Sequence, residues 1–479
     1  MNYEIILYII GWILVISSVL MALPLATAAV YGEISGLAFL VTMAAGLIIG
    51  LLIIHHKPRQ RMFHAREGYV SVALSWIVLS IFGAAPFVIS QSIPNPIDAF
   101  FETVSGFTTT GASILDDLES LPHCMLMWRS FTHWIGGMGV LVFILCILPL
   151  TGAANMNLMK AESPGPSVGR LVPKVKSTAT ILYKIYLVMT LAMVGLLLLG
   201  RIPLFDSLCI AFGTAGTGGF GTKADSIGGY STYIQVVTTV FMILFGVNFN
   251  AYFLIKMRKV KSAFMIEEVR YYFLVIAGAI ALISINVAGM FPSPVKAVQQ
   301  VAFQVGSIIT TTGFSTTDFD LWPAFSKTIL VLLMFCGACA GSTGGGIKVS
   351  RFVILAKTFK KEIQIYLHPN AVKKVKMDGK AVPHEVVRAT NIYMVAYIMI
   401  FSLSVLLVSI DNFDMTTNFT AVAATFNNIG PGLSKVGPTC SFNLYSPLSK
   451  MILALDMLAG RLEIFPLLIF CVPSTWKKF

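Results

Sequence analysis

Charged side chains are scarce in this sequence: Asp, Glu, Lys and Arg make up 12% of its 479 residues, about half the share in soluble domains. Hydrophobic residues make up 56%, more apolar surface than a soluble protein of this size could hide. A run of about 20 apolar residues is long enough to cross a bilayer. Such runs recur at 5–32, 34–54, 68–97, 130–159, 185–200, 226–255, 271–295, 328–347 and 389–410, and a last one, 448–472, is interrupted by charge. The reading is an all-α polytopic membrane protein of about ten spans.

Other absences exclude other classes. The opening "MNYEI" has no Lys or Arg, so the first run is read as a retained helix and not as a signal peptide. Seven cysteines are scattered along the chain, and the lone C-x-x-C, Cys336 to Cys339, sits mid-span with no second pair. Small buried residues describe it better than a metal or redox site. Cys124 and Cys440 both fall on the outer side, and their pairing is left open. The seven histidines show no ligand spacing. No cofactor is expected in the chain. A membrane enzyme would need paired acids, a nucleophile with a base, or metal ligands within the spans. Apart from Asp456, Arg461 and Glu463, the spans offer nothing of the kind.

The net charge of +12 is distributed by loop. Lys57, Arg59, Arg61 and Arg66 form one basic set; Lys160, Arg170, Lys174 and Lys176 a second; Lys256, Arg258, Lys259, Lys261 and Arg270 a third; the largest lies at 348–388. The opposite loops carry Asp116, Asp117, Glu119, Asp225, Asp318 and Asp320. By the positive-inside rule both termini are cytoplasmic. The basicity is topology and not a nucleic-acid footprint. Of the outer acids, Asp116, Asp117, Asp318 and Asp320 either raise cation concentration at a mouth or are ordinary solvated loop charges.

"AGTGGFGTK" (215–223) contains G-x-G-x-x-G, but no strand precedes it and no helix opens after it, as a dinucleotide site requires. Its glycines belong instead to a fourfold repeat. "SGFTTTGAS" (105–113), "GTAGTGGFG" (213–221), "SIITTTGFS" (307–315) and "ATFNNIGPG" (424–432) align on Gly111, Gly219, Gly313 and Gly430. Six places before each glycine stands a small residue, Ser105, Gly213, Ser307 or Ala424, and thirteen places before two of them stands an acid, Asp98 or Asp206. The copies recur about every hundred residues, each interval holding two spans. The segments leading to the glycines, such as 97–108 and 296–309, are about twelve residues long, too short to cross and suited to re-entrant helices. Irregular backbone at membrane depth must be covered by protein or line a cavity. Four such loops on one axis would do both. Rings of uncharged oxygens can replace the hydration shell of a monovalent cation, whereas calcium would want carboxylates.

On these motifs the chain resembles, over essentially its whole length, the TrkH family of the Trk/Ktr/HKT superfamily of potassium uptake proteins. The resemblance implies four M1–P–M2 pore units in pseudo-fourfold arrangement plus two extra N-terminal helices: 1–66 as the extension, then units at 67–175, 176–265, 266–380 and 381–479. It implies potassium as the transported ion, and a filter of Gly111, Gly219, Gly313 and Gly430. Their neighbours Thr109, Thr110, Thr217, Gly218, Thr311, Thr312, Asn428 and Ile429 would supply carbonyls to the ion. Glycine at the first position is the potassium-preferring form; the departures from "TTTG" in the second and fourth copies imply uneven rings and weaker selectivity. It further implies a homodimer in the bacterial cytoplasmic membrane and a cytosolic nucleotide-binding partner like TrkA. The segment 350–388 is too short to hold a nucleotide-binding domain of its own.

Two intramembrane features remain. "CAGSTGGGIKVSR" (339–351) places Gly341, Gly344, Gly345, Gly346 and Lys348 in a stretch that cannot hold a continuous helix well. It is either a gating loop, as the resemblance implies for a broken second helix in unit three, or close helix packing through small residues. Arg461 is either an electrostatic barrier below the filter, as in the family, or a structural salt bridge. Asp456 and Glu463 are its nearest partners, though neither stands at ideal helical spacing. A secondary transporter coupling potassium to protons or sodium is the alternative function. Such folds usually carry inverted repeats and ionisable midplane groups, whereas these repeats run in one orientation.

Overall fold

The computed structural model of the chain describes residues 1–58, 64–139, 175–370 and 373–477. Arg59, Arg61, Lys160, Arg170, Lys174, Cys146 and the later part of the 130–159 run lie outside the described residues. The rest is helical save a two-stranded hairpin, β1 (Lys376–Met377) and β2 (Lys380–Ala381).

Helices α1 (Tyr3–Leu20), α2 (Ala22–Tyr31) and α3 (Gly36–His55) open the chain; Gly11 and Gly50 let α1 and α3 lie close together. Four sets then follow in one pattern. A long apolar helix comes first: α4 (Ala65–Ile89), α7 (Val175–Leu199), α12 (Glu267–Val287) or α16 (His384–Val408). A short one follows: α5 (Pro96–Phe107), α8 (Leu204–Gly216), α13 (Pro294–Ile309) or α17 (Met415–Phe426). They have 12, 13, 16 and 12 residues; at about 1.5 Å per residue they reach about 18 to 24 Å, short of a bilayer's hydrocarbon core of about 30 Å. Their starts are written locally. Pro96 and Pro294 occupy first-turn positions after the capping side chains of Asn95 and Ser293, and Asp414 caps α17, where a missing N–H costs nothing.

The closing helix of each set differs most from the sequence reading. One break was expected, in the third set; among the described residues there are three. α9 (Thr232–Phe245) and α10 (Phe249–Lys256) meet at 91°, and the short α11 (Val260–Phe264) follows. α14 (Ala324–Cys336) gives way to irregular chain before α15 (Val349–Leu367). α18 (Pro447–Arg461) stops where Glu463 and Ile464 adopt φ of 52° and 70°, before α19 (Phe465–Cys471). In the first set the helix is α6 (His123–Gly137). Among the described residues, six helices are long and apolar enough to cross a membrane, seven if α9 and α10 count as one.

Beside its apolar core the protein has an apolar exterior and a buried polar centre. Leu191, Leu199, Leu403 and Leu406 are exposed on the outside, while Thr108, Thr109, Thr110, Thr310, Thr311, Thr312, Asn427 and Asn428 are fully buried. An apolar exterior around a polar centre is what lipid outside and an ion path inside require.

Candidate ion path

All four short helices end in the same motif. The N–H of the residue before each repeat glycine reaches back to the small residue already singled out: Thr110 to Ser105 O (2.9 Å), Gly218 to Gly213 O, Thr312 to Ser307 O and Ile429 to Ala424 O (each 2.8 Å). The preceding N–H groups, of Thr109, Thr217, Thr311 and Asn428, each bond three residues back at 3.1 Å. This is a Schellman cap, and its terminal residue must be left-handed. Thr109, Thr217, Thr311 and Asn428 lie at φ of 56°, 56°, 58° and 56°. Non-glycine residues there are strained, and four at equivalent places mark a site held in shape by its surroundings.

Two residues on, Gly111, Gly219, Gly313 and Gly430 lie at φ of 79°, 80°, 83° and 99°. A Cβ on Gly111 would overlap the carbonyl oxygen of Gly218, one on Gly219 that of Thr312, one on Gly313 that of Ile429, and one on Gly430 that of Thr110. Each segment leans on the next and the fourth returns to the first, so the twelve residues expected in the filter close into a single ring.

Above it, all four glycines line an open cavity of about 640 Å³, together with Asp116, Arg129, Lys223 and Lys435. Of the four aspartates considered as a cation-attracting mouth, Asp116 lines this cavity, held by the Ser441 hydroxyl and Asn443 Nδ2. Cys124 and Cys440 are free thiols.

Below lies a cavity of about 140 Å³ walled by Gly341, Gly344, Gly345, Gly346, Lys348 and Arg461 among others. The glycine-rich chain at 337–348 rises to the ring itself: Gly345 N–H donates to Thr311 Oγ1 at 2.6 Å. A Cβ at Gly344 would lie 2.8 Å from Thr310 O and one at Gly345 2.7 Å from Asn427 O, so these glycines are what lets the loop come so close. Gly341 O accepts from Phe249 N–H at 3.0 Å, and Lys348 Nζ folds back onto Gly344 O. Arg461 spans the cavity, donating to Thr343 O (3.0 Å), Gly137 O (2.9 Å), Gly136 O and the Thr109 hydroxyl (3.4 Å). The carboxylates weighed as its partners are engaged elsewhere, Glu463 with Arg351 and Asp456 with the Ser404 hydroxyl at 2.6 Å. Asn428 Oδ1 is buried without a hydrogen-bond donor among the described residues. It lies beside Gly345 and Gly460, both in the wall of this cavity.

Three supports of this region are not among the residues singled out from the sequence. Glu102 on α5 and Arg129 on α6 form a fully buried pair at 2.8 Å. The Glu102 carboxylate also takes the Ser113 hydroxyl and Ile114 N–H, and Arg129 reaches Gly221 O at 3.4 Å and covers the Phe220 ring. The pair thus ties the outer ends of segments one and two. His133 does the same deeper in: its Nδ1–H donates to Gly106 O at 2.7 Å, and its Nε2 accepts from Phe220 N–H at 3.2 Å. No ligand spacing marks it because it binds backbone. The third support is Glu268, buried at the start of α12. Glu102 and Arg129 were visible as charges in apolar surroundings, 27 residues apart, and only the fold pairs them.

Comparison with known proteins agrees with this geometry. The family model for TrkH, described as a cation transport protein, matches residues 36–478. The chain belongs to the TrkH family. It is 37% identical to the Trk system potassium uptake protein TrkH of Salmonella typhimurium, with all of both chains covered. It is 32% identical to TrkG of Escherichia coli, covering all of this chain and 99% of that one. Its fold matches the crystal structure of the potassium transporter TrkH from Vibrio parahaemolyticus with a TM-score of 0.89, at 34% identity and full coverage of both chains.

Proposed function

We infer that this chain is the potassium-conducting subunit of a Trk-type uptake system, a multi-pass protein of the bacterial cytoplasmic membrane and not an enzyme. The observation that carries the reading is the closed ring of four capped segments. Alternation of left-handed residues along each segment turns successive carbonyls to one side, and four segments in register offer rings of neutral oxygens to a dehydrated monovalent cation. The ring residues are Thr109, Thr110, Gly111, Thr217, Gly218, Gly219, Thr311, Thr312, Gly313, Asn428, Ile429 and Gly430. The unpartnered Asn428 Oδ1 adds a further neutral oxygen where the ion leaves the filter. Family membership supports the division into an extension, 1–66, and pore units at 67–175, 176–265, 266–380 and 381–479.

In the same reading the loop carrying Gly341, Gly344, Gly345, Gly346 and Lys348 is the gate, with Arg461 as a positive charge on the exit path. The hydrogen bond from Gly345 to Thr311 supports this, because a loop that touches the filter obstructs it. Basic loops on one side support cytoplasmic termini. A homodimer and a TrkA-like cytosolic nucleotide-binding subunit complete the proposed assembly.

The test is radioactive rubidium uptake into proteoliposomes of the purified protein, with potassium and sodium as competitors, beside Gly313→Ser. Passive flux blocked far better by potassium than by sodium, with discrimination weakened in the variant, is the expected result. Flux that requires a proton or sodium gradient, or is indifferent to Gly313, makes the protein a coupled transporter and its glycines ordinary turns.

A further inference from the structure

Glu268 has no place in the ion path, yet it is 3% exposed in a part of the molecule where an uncompensated carboxylate is costly. Its Oε1 accepts two backbone N–H groups, from Ala340 at 2.6 Å and from Ser350 at 3.1 Å. Its Oε2 accepts from Asn248 Nδ2 at 3.2 Å. Ala340 stands just before the glycine-rich run and Ser350 is the second residue of α15. One carboxylate on α12 therefore grips both ends of the same loop. A single backbone bond, Val349 N–H to Ala338 O at 3.1 Å, closes the neck beside it. The carboxylate also meets the amino end of the 19-residue α15, where negative charge is favoured.

The loop is thus a stalk fixed at its base, with its tip under the filter. At the tip, Gly345 bonds Thr311 and Thr343 O accepts from Arg461. A glycine-rich segment has little stiffness of its own, so the position of the tip depends on the base. Charge-assisted hydrogen bonds are the strong kind; two of them hold the base of this loop, and a third, from Asn248, steadies the same carboxylate.

We propose that Glu268 is the positioning residue of the gate: its carboxylate straps the two ends of the 340–350 loop together, holds the tip beneath the filter and sets the resting leak of the pore. The proposal rests on the reading of the loop as the gate. Rubidium uptake by full-length protein in liposomes tests both, using E268Q, N248D and a variant lacking residues 344–346. The amide of E268Q puts an NH2 where a second acceptor was. Asn248→Asp keeps the oxygen that accepts from Asn250 N–H but removes the donor to Glu268 and faces it with like charge, so it tests the strap even where E268Q folds poorly.

Expected are a rise in passive flux of roughly tenfold in E268Q and a smaller rise in N248D, with potassium-over-sodium discrimination unchanged. Hydrogen–deuterium exchange should quicken in the 338–351 segment alone. Unchanged flux and exchange in both variants, beside a leaky deletion variant, would overturn the strap and leave the gate standing. Lower flux with lost discrimination would also overturn it, by making Glu268 a support of the filter. A deletion variant no leakier than the parent sinks the gate reading itself, and the strap with it.

Discussion

Arg461→Gln tests whether the arginine acts by charge or as a tether. The guanidinium lies 3.4 Å from Thr109 Oγ1 and 3.0 Å from Thr343 O, so a cation at the lower edge of the ring stands about 6 Å from its charge. At an effective dielectric of about 20, two unit charges at that distance repel by about 3 kcal/mol. Each 1.4 kcal/mol is tenfold, which sets a ceiling of about a hundredfold on the change in passive flux. Arg461 is half-buried and its charge is partly satisfied by the carbonyls around it, so an increase nearer tenfold is expected. Glutamine keeps a side-chain donor of similar shape, and Arg461→Lys keeps the charge while losing the fork. Rubidium flux into liposomes should therefore rise in R461Q, stay low in R461K, and lose part of its dependence on ionic strength in R461Q. If R461K leaks as much as R461Q, the arginine works by holding Thr343 and the loop. If neither leaks, it is no barrier.

Three further outcomes follow from the supports. Arg129→Met leaves the Glu102 carboxylate buried and unpaired, a loss of about 3–5 kcal/mol; E102Q with R129M should recover much of it, measured by thermal unfolding in detergent. His133→Ala removes the acceptor of Phe220 N–H and should lower potassium-over-sodium discrimination in competition assays more than it lowers the unfolding temperature; the reverse ranking refutes a role in shaping segment two. Outside the membrane spans, Glu33 accepts the His123 and Cys124 N–H groups and the His123 ring at the start of α6. Partial burial would raise its pKa, but these hydrogen bonds outweigh it and hold the carboxyl below its ordinary 4.5. A depressed carboxylate contributes stability that is present above the ordinary value and is lost as pH falls through the depressed one. Glu33→Gln should therefore unfold earlier than the parent at pH 7, with the gap closing below pH 4.5; a gap independent of pH would remove the carboxylate's charge from the account.

The repeat was legible because it obeys a local rule. The small residue six places before each glycine supplies the carbonyl that closes a helix cap, and the cap, the left-handed residue and the glycine are all set within nine residues. The long spans were legible from composition. The breaks in the second and fourth closing helices were not. Gly246, Asn248 and Gly460 are single residues in apolar runs, and only contact with neighbouring chain shows why each helix must bend. Glu102 with Arg129, and Glu268 with the ends of its loop, were invisible for the same reason: their partners are distant in sequence, and one carboxylate looks like another until the fold brings donors to it. Arg461 stands out in the sequence as a charge within a span. Most of the groups it donates to are main-chain oxygens, which no reading of side chains could supply.

The four segments are joined in one polypeptide and need not be identical. In a pore assembled from four equal chains, every feature on the axis comes in fours: an arginine would meet three copies of itself, and a loop rising beneath the filter would collide with three others. Here Arg461 comes from the fourth unit, the rising loop from the third, and the cavity wall at Gly137 from the first. An arginine from one unit and a rising loop from another share a space that fourfold symmetry would have overfilled. Repeats within one chain are thus free to differ below the ring, while the ring above them keeps its fourfold form.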